Sequence, residues 1–266
     1  MKIFRYPEDR LPTALFLGYF ALDLYVYFSV ESLPFLVGWM LIGILPKALI
    51  CSFNHHHQHL PTFRYRGLNR LLEFVFGFQT GIVCNGWVLH HVLGHHRNYL
   101  DQELDESRWR RLSGKRMGVI EYTFSVALTG YARAFQVGIH FPRFLKPFAI
   151  WAVLTLAALV ILFYHNWVNA LFVFFLPMVI SLHITAWHTY YHHAGLSTEN
   201  KYEASYNILH RWYNRLTGNL GYHTAHHVRP GLHWSRLPKF HAQIAEQIPD
   251  RLYRLPPPPL RWLPGA

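Results

Sequence analysis

The chain has 266 residues, and its 25 Lys and Arg against 14 Asp and Glu give a formal net charge of +11. Hydrophobic residues make up 52%, aromatic residues 17% and charged residues only 15%, a balance that excludes an ordinary soluble domain of this size. Mean hydropathy is only slightly positive, so apolar spans must alternate with polar segments. The 20 histidines are the compositional outlier, and they are clustered along the chain.

The N-terminus and the cysteines indicate the compartment. Residues 1–10 carry both signs of charge and no small-residue cleavage site follows them, so we expect no removable signal peptide. Cys51 and Cys84 lie in apolar surroundings without a pairing pattern, which fits a reducing, cytoplasm-facing context.

Two apolar runs near the N-terminus predict a helical hairpin. Residues 11–30 are interrupted by Asp23, and residues 33–50 carry Pro46 and Lys47 near their end. Each run is long enough to cross a hydrocarbon core of roughly 30 Å, which takes about 20 residues of helix. The connection between them is short enough to be a tight turn.

The middle of the chain is less apolar. Residues 67–89 contain Glu73, Gln79 and Asn85, so we expect an interfacial or partly embedded segment rather than a span. Residues 101–116 are the most charged stretch and must lie outside the bilayer. Residues 119–141 predict a surface helix with one apolar face.

Residues 147–164 and 167–187 predict a second hairpin. Neither inter-helix turn contains Lys or Arg, and every basic residue except Lys47 lies outside the four predicted spans. The positive-inside rule therefore predicts that both termini and all histidine clusters face the cytoplasm. The predicted fold is an all-α integral membrane protein, a single domain over 1–266, with a cytoplasmic helical cap that holds the clusters.

The first histidine cluster follows the second predicted span. His55 and His59 lie at i and i+4, which suits one face of a helix at the cytoplasmic end of that span. We favour these two as metal ligands, and we expect His56 and His57 to lie behind them or in solvent.

The second cluster follows the interfacial segment and contains His91, His95 and His96. On an α-helix, His91 and His95 share a face, while His96 is rotated from them by about 100°. A rotated third ligand is expected if two metal ions sit side by side.

The third cluster follows the second hairpin and contains His223, His226 and His227. On a helix these positions fall on one face, so three imidazoles can converge on one point before Pro230 and Gly231 end the segment.

The three clusters together predict a metal site. Imidazole is a good ligand for zinc, copper, iron and nickel. The alternative, solvated or packed histidines, would not be expected to give three such spacings on one predicted membrane face. Eight nitrogens exceed what one four- to six-coordinate ion can use, so the sequence predicts two metal ions.

The spacings His55-x-x-x-His59, His91-x-x-x-His95-His96 and His223-x-x-His226-His227 resemble the three histidine boxes of the membrane fatty acid desaturase family. Residues 221–238 are also similar to that family's third box and the segment after it. The resemblance covers roughly residues 11–240. It is specific for the superfamily but not for the substrate, because hydroxylases, ketolases, epoxidases and acetylenases share the boxes.

The resemblance implies an oxidoreductase with two iron ions that uses O2 to desaturate an alkyl chain of a lipid or fatty acyl substrate. Electrons would come from a separate ferredoxin, rubredoxin or cytochrome b5 type protein, because the chain carries no haem-binding cytochrome domain. It also implies a ninth histidine ligand after the second hairpin. His193 matches that position best, and His192 and His188 are alternatives; interfacial anchoring is the structural alternative for all three.

Other residues are candidates to orient the ligands. Asp101, Asp105 and Asn219 are placed to accept N–H bonds from ligand histidines, and His192 joins them as a further candidate. The alternative for the two acids is a charged surface loop. The predicted metal ligands are His55, His59, His91, His95, His96, His193, His223, His226 and His227.

Three other functions compete with desaturation. A hydroxylase or ketolase on the same scaffold has the same sequence features. A membrane metal transporter or metal-binding protein would be expected to carry ionisable residues inside its spans rather than histidines at their ends. Nucleic-acid binding rests only on the +11 charge, and with no recognition motif we expect no nucleic-acid partner.

Overall fold

The computed structural model describes residues 3–99, 101–111, 113–258 and 260–264. The described part of the chain is 70% helical and contains isolated bridges but no β-strand. Two compact units can be distinguished. Unit 1 comprises the chain up to Leu89 together with Ala134–Ile184, and unit 2 comprises His90–Arg133 and the chain from Thr185 onward. The single domain expected from the sequence stays a prediction.

The principal helices carry labels in chain order. They are α1 Arg10–Ser29, α2 Leu33–His59, α3 Arg66–Thr80, the π-helix Val88–His96, α4 Val119–Ile139, α5 Pro142–His165, α6 Trp167–His193, α7 Arg211–Thr217, α8 His223–Val228 and α9 Leu237–Ile244. Helix α6 contains a π-helical turn over Ala170–Phe175.

Four helices are long and apolar enough to cross a membrane: Pro7–Ser29, which extends α1, and helices α2, α5 and α6. The all-α membrane architecture expected from the sequence is thereby confirmed. The pairing into hairpins and the cytoplasmic cap stay predictions. Helix α2 runs past the predicted boundary at residue 50 to His59. It can do so because polar side chains of its last turns have partners: Asn54 Nδ2 donates to Thr80 Oγ1 (3.1 Å) and to the Ile82 carbonyl (3.2 Å).

The two short connections of unit 1 are held together by hydrogen bonds. Asn169 Nδ2 donates to the carbonyls of Tyr27 and Val30, both at 2.7 Å. The Tyr27 hydroxyl donates to the Leu162 carbonyl at 2.6 Å. The two bonds from Asn169 satisfy carbonyls at the end of α1 that have no partner within the helix, and all three bonds fix α1, α5 and α6 relative to one another at this end of unit 1.

The charged residues that interrupt the first two spans form a buried ion pair. Lys47 Nζ lies 3.0 Å from Asp23 Oδ2, and the two side chains are 1% and 0% exposed. Trp39 Nε1 donates to the other Asp23 oxygen (3.0 Å), and Lys47 also donates to the Val173 carbonyl (2.9 Å) in the π-helical turn. One ion pair therefore joins α1, α2 and α6, and it satisfies a carbonyl of the turn where the α-helical ladder is interrupted.

Helices α3 and α4 are not among the candidate spans. Helix α3 ends at Gly81, whose φ of 71° suits glycine, and a Cβ there would lie 2.6 Å from the Met178 carbonyl. Helix α4 buries Tyr122 and Val126 and leaves one side apolar and exposed, as the pattern over 119–141 predicts. The exposed residues on that side are Ile120, Phe124, Leu128, Tyr131, Phe135 and Ile139.

The ion pair predicts an asymmetric response to mutation. Asp23→Ala leaves the Lys47 ammonium buried without its counter-charge, and we expect a loss of about 3–5 kcal/mol in unfolding free energy. The double variant Asp23→Leu/Lys47→Met removes both charges, so we expect it to be more stable than the single variant. Thermal unfolding in detergent compares them. Equal or greater destabilisation of the double variant would contradict the assignment.

Candidate metal centre

The first cluster forms the last turn of α2, in unit 1. The Nε2 atoms of His55 and His59 lie 3.1 Å apart. His57 is not in solvent: it is buried, and its ring nitrogens lie 2.9 Å from Thr62 Oγ1 and 3.3 Å from Glu73 Oε1. Both nitrogens of His57 therefore have protein partners, whereas His55 and His59 turn their Nε2 atoms toward each other.

The N-terminal end of the π-helix Val88–His96, which still belongs to unit 1, is bonded to the same turn of α2. Gln58 Oε1 accepts hydrogen bonds from the backbone N–H groups of Trp87 (3.0 Å) and Val88 (3.3 Å). These groups stand at the N-terminus of the π-helix Val88–His96 and have no partner within it. Gln58 itself donates to Asn54 Oδ1 at 2.8 Å, which holds its amide in place.

The second cluster lies on a π-helix, which changes its expected pairing. A π-helix forms i→i+5 hydrogen bonds, so residues five apart lie closer together than they do on an α-helix. The Nε2 atoms of His91 and His96 are accordingly 3.0 Å apart. His95, which an α-helix would pair with His91, joins a different set of histidines. The rings of His91 and His95 do lie on one face, with centroids 5.0 Å apart, but the Nε2 atom of His91 lies beside that of His96.

Within unit 2, His91 and His96 meet one residue of the third cluster. His226 Nε2 lies 3.1 Å from His96 Nε2, and the nitrogens of these three histidines lie within 4.8 Å of one another. His91 and His226 are buried, with 4% and 1% exposure. We call these three residues the first histidine group.

A second histidine group in the same unit consists of His95, His193 and His227, whose nitrogens also lie within 4.8 Å of one another. His95 Nδ1–H donates to both oxygens of Asp105, at 2.8 and 2.9 Å. His193 Nδ1–H donates to the Ala204 carbonyl at 3.3 Å. Since a carboxylate and a carbonyl can only accept, both rings are fixed in the tautomer that leaves Nε2 with a lone pair.

The third cluster divides between the two groups. Helix α8 directs His226 to the first group and His227 to the second, and His223 Nε2 lies 3.0 Å from His193 Nε2 and 3.2 Å from His227 Nε2. The three imidazoles therefore do not converge on one point. Gly221 just before α8 is required by close packing, because a Cβ there would lie 2.0 Å from the Ile208 carbonyl.

Among the alternatives for the ninth ligand, His193 is the residue that the structure brings to the second group. His192 Nδ1–H donates to the Tyr206 carbonyl (3.4 Å), and its Nε2 accepts from the Tyr213 hydroxyl (3.1 Å). Tyr213 Oη also lies 3.2 Å from His188 Nδ1. The His192 ring stacks on His223 at a centroid distance of 3.9 Å, so it supports a neighbour rather than offering a nitrogen.

The side chains of Asp101, Asn219 and His233 form hydrogen bonds with loop and turn residues. Asp101 is exposed, and Oδ1 accepts from the backbone N–H groups of Glu103 and Leu104, so it caps a turn of a surface loop. Asn219 has φ of 63° and donates to the Trp234 carbonyl. His233 caps a short 3-10 turn through Ser235.

The electrostatics of the second group favour neutral imidazoles. Burial, reinforced by the neighbouring rings of His96 and His193, holds the pKa of His227 well below its ordinary value. His227 is therefore uncharged at neutral pH. A neutral imidazole carries the lone pair that a metal ion requires.

These residues fit a metal ion. His95 Nε2 is buried and has no hydrogen-bond partner among the described residues, although its Nδ1 is bonded to Asp105. A buried polar atom without a partner costs free energy, which an ion bound between these nitrogens would offset. The combination of a ligand nitrogen and a carboxylate on the other nitrogen of the ring is usual in histidine metal sites. An all-nitrogen set suits zinc, iron, copper or nickel better than calcium or magnesium.

Three contributors to the site are not foreseen from the sequence. They are the Ala204 carbonyl, which orients His193, the Tyr213 hydroxyl, which holds His192, and the Tyr99 ring, which stacks on His227. A backbone carbonyl leaves no trace in a sequence. Tyr99 does lie three residues after His96, one helical turn away, and that spacing is the only signal for it.

Comparison with protein-family models gives a match. A protein-family model described as Fatty acid desaturase matches residues 31–257. Curated proteins and solved structures provide no match to the chain. The matched range contains all three histidine clusters and both oriented histidines of the second group.

The hydrogen bond from His95 to Asp105 predicts that substitutions of Asp105 and Asp101 affect metal affinity differently. We expect Asp105→Asn to weaken metal binding by about 10–100-fold, because the ring of His95 loses its carboxylate acceptor. The matched control is Asp101→Asn, on the same loop but turned to solvent, which should leave binding unchanged. Competition with a chelator measures both affinities. Equal losses in the two variants would contradict the role of Asp105.

Proposed function

Because the chain belongs to the fatty acid desaturase family, we propose that it is a di-iron membrane enzyme. We propose that it desaturates an alkyl chain of a lipid or fatty acyl substrate, using O2 and electrons from a separate protein. Membership of the family makes the chain a lipid oxidoreductase. Iron, O2, the electron donor and desaturation itself are the proposed details.

One observation carries the proposal: two adjacent groups of three histidines with nitrogens directed at one another. Each group contains histidines from both the second and the third cluster. In the second group two rings are fixed through Nδ1, so their Nε2 atoms are available to a metal ion. Each group contains one of two adjacent residues of α8, His226 or His227, and this division supports two ions rather than one.

We propose that the first group and the second group each hold one iron ion and that His223 assists the second. We further propose that His55 and His59 are metal ligands, which their resemblance to the first histidine box of the family supports. When bound, iron would supply the activation of O2 and the removal of hydrogen from an unactivated C–H bond, which acid or base catalysis cannot achieve.

The residues of the chain would orient the ligands and control their charge. Asp105 and the Ala204 carbonyl hold the protons of His95 and His193 on Nδ1, so that Nε2 keeps its lone pair. Burial keeps His227 neutral. Imidazoles without charge leave the ions more positive than carboxylate ligands would, unlike the Glu-x-x-His sites of soluble di-iron bundles.

We propose the side of the membrane on which the site lies from the distribution of Lys and Arg. The inter-helix turns lack Lys and Arg, so the positive-inside rule supports a cytoplasmic location for both termini and the histidines. Metal transport receives less support, because Asp23 and Lys47, which lie inside the first two candidate spans, are bonded to each other and to neighbouring helices.

Lipid analysis tests the activity. Cells that express the chain should accumulate acyl chains lighter by two hydrogen atoms, and the change should be lost with His226→Ala because that imidazole belongs to the first group. His140→Ala is the matched control, since His140 is an exposed histidine, and it should retain the product. Lipids heavier by one oxygen atom would instead identify a hydroxylase. Unchanged masses across all lipid classes would contradict the proposal.

A further inference from the structure

Tyr99 touches every member of the second histidine group. Its ring lies parallel to that of His227, with centroids 4.2 Å apart and an interplanar angle of 19°. It meets His95 and His193 edge-on, with centroids 5.6 and 5.5 Å away. The Tyr99 side chain is half-buried, and its hydroxyl oxygen is fully buried.

The opposite face of His227 is covered as well. The His96 ring stacks on it with a centroid distance of 4.1 Å and an interplanar angle of 22°. His227 is therefore the middle ring of a three-ring stack, with His96 on one side and Tyr99 on the other. With both faces covered, only the edge of His227, which carries the nitrogens, can face a ligand.

The stack matters because His227 lies next to residues of both histidine groups. His96 belongs to the first group, and the residue before His227 in α8, His226, belongs there too. A rotation of the His227 ring could bring its nitrogens toward the first group instead of His95 and His193. A flat ring on the far side of His227 blocks that rotation.

We propose that Tyr99 is a positioning residue that fixes the ring plane of His227 and so assigns this histidine to the second metal ion. The inference rests on the proposed metal centre, but it concerns one ion only. It depends on the flat ring of Tyr99 and not on the hydroxyl. Phenylalanine at position 99 should therefore serve, whereas a branched aliphatic side chain should not.

The test is metal stoichiometry of purified chain reconstituted with iron, measured by elemental analysis alongside a chelator titration. Wild type and Tyr99→Phe should bind two ions per chain. Tyr99→Leu should keep one ion at full affinity and bind the other about 10–100-fold more weakly, the loss typical when the support of a ligand is removed.

The matched control is Tyr122→Leu. Tyr122 is a buried tyrosine of the same unit, 1% exposed, whose ring packs against Tyr190 and whose hydroxyl donates to the Ser107 carbonyl. It should lose stability and keep both ions. Thermal unfolding of each metal-free variant separates a loss of fold from a loss of ligand geometry, and Tyr99→Met replaces Tyr99→Leu if the latter does not fold.

Two results would overturn the positioning role. One is two ions at wild-type affinity in Tyr99→Leu, and the other is loss of both ions together, which would mark Tyr99 as a general packing residue. A wild-type chain that binds no metal would refute the proposed function and this inference with it. Two ions in wild type with an unaltered second ion in Tyr99→Leu refutes the inference alone.

Discussion

The constraint on which the histidine-rich unit depends is that a buried imidazole nitrogen needs a partner. The chain buries many imidazoles and satisfies one nitrogen of several rings with an acceptor, as Asp105 does for His95 and the Ala204 carbonyl does for His193. The remaining nitrogens face one another at about the distance of a hydrogen bond. Imidazoles can share few protons among themselves, so a cation with an affinity for nitrogen completes the arrangement.

Backbone geometry determines which histidines share a group. The second cluster reads as an α-helical spacing, but the π-helix brings residues five apart into register, so His91 pairs with His96 and releases His95 to the other group. Gln58 caps this helix from the neighbouring turn of α2. π-helical turns are frequent at functional sites.

Much of this protein can be predicted from local sequence, and the remainder depends on contacts between distant residues. Apolar run lengths predict four membrane-spanning helices, and histidine spacing predicts the clusters, because both signals are periodic and local. The extension of α2 to His59 and the joining of Asp23 to Lys47 and the Val173 carbonyl depend on side chains from other helices. The π-helical register and the stack of Tyr99 on His227 cannot be predicted from the local sequence for the same reason.

Two metal ions held almost entirely by histidine are the core of the proposed centre. X-ray absorption at the iron edge of the purified, iron-loaded chain measures their ligands. We expect a nitrogen shell with the multiple scattering of imidazole rings and a second iron in the outer shells. A shell with sulfur from Cys51 or Cys84, a shell dominated by carboxylate oxygen, or a single isolated iron would contradict it.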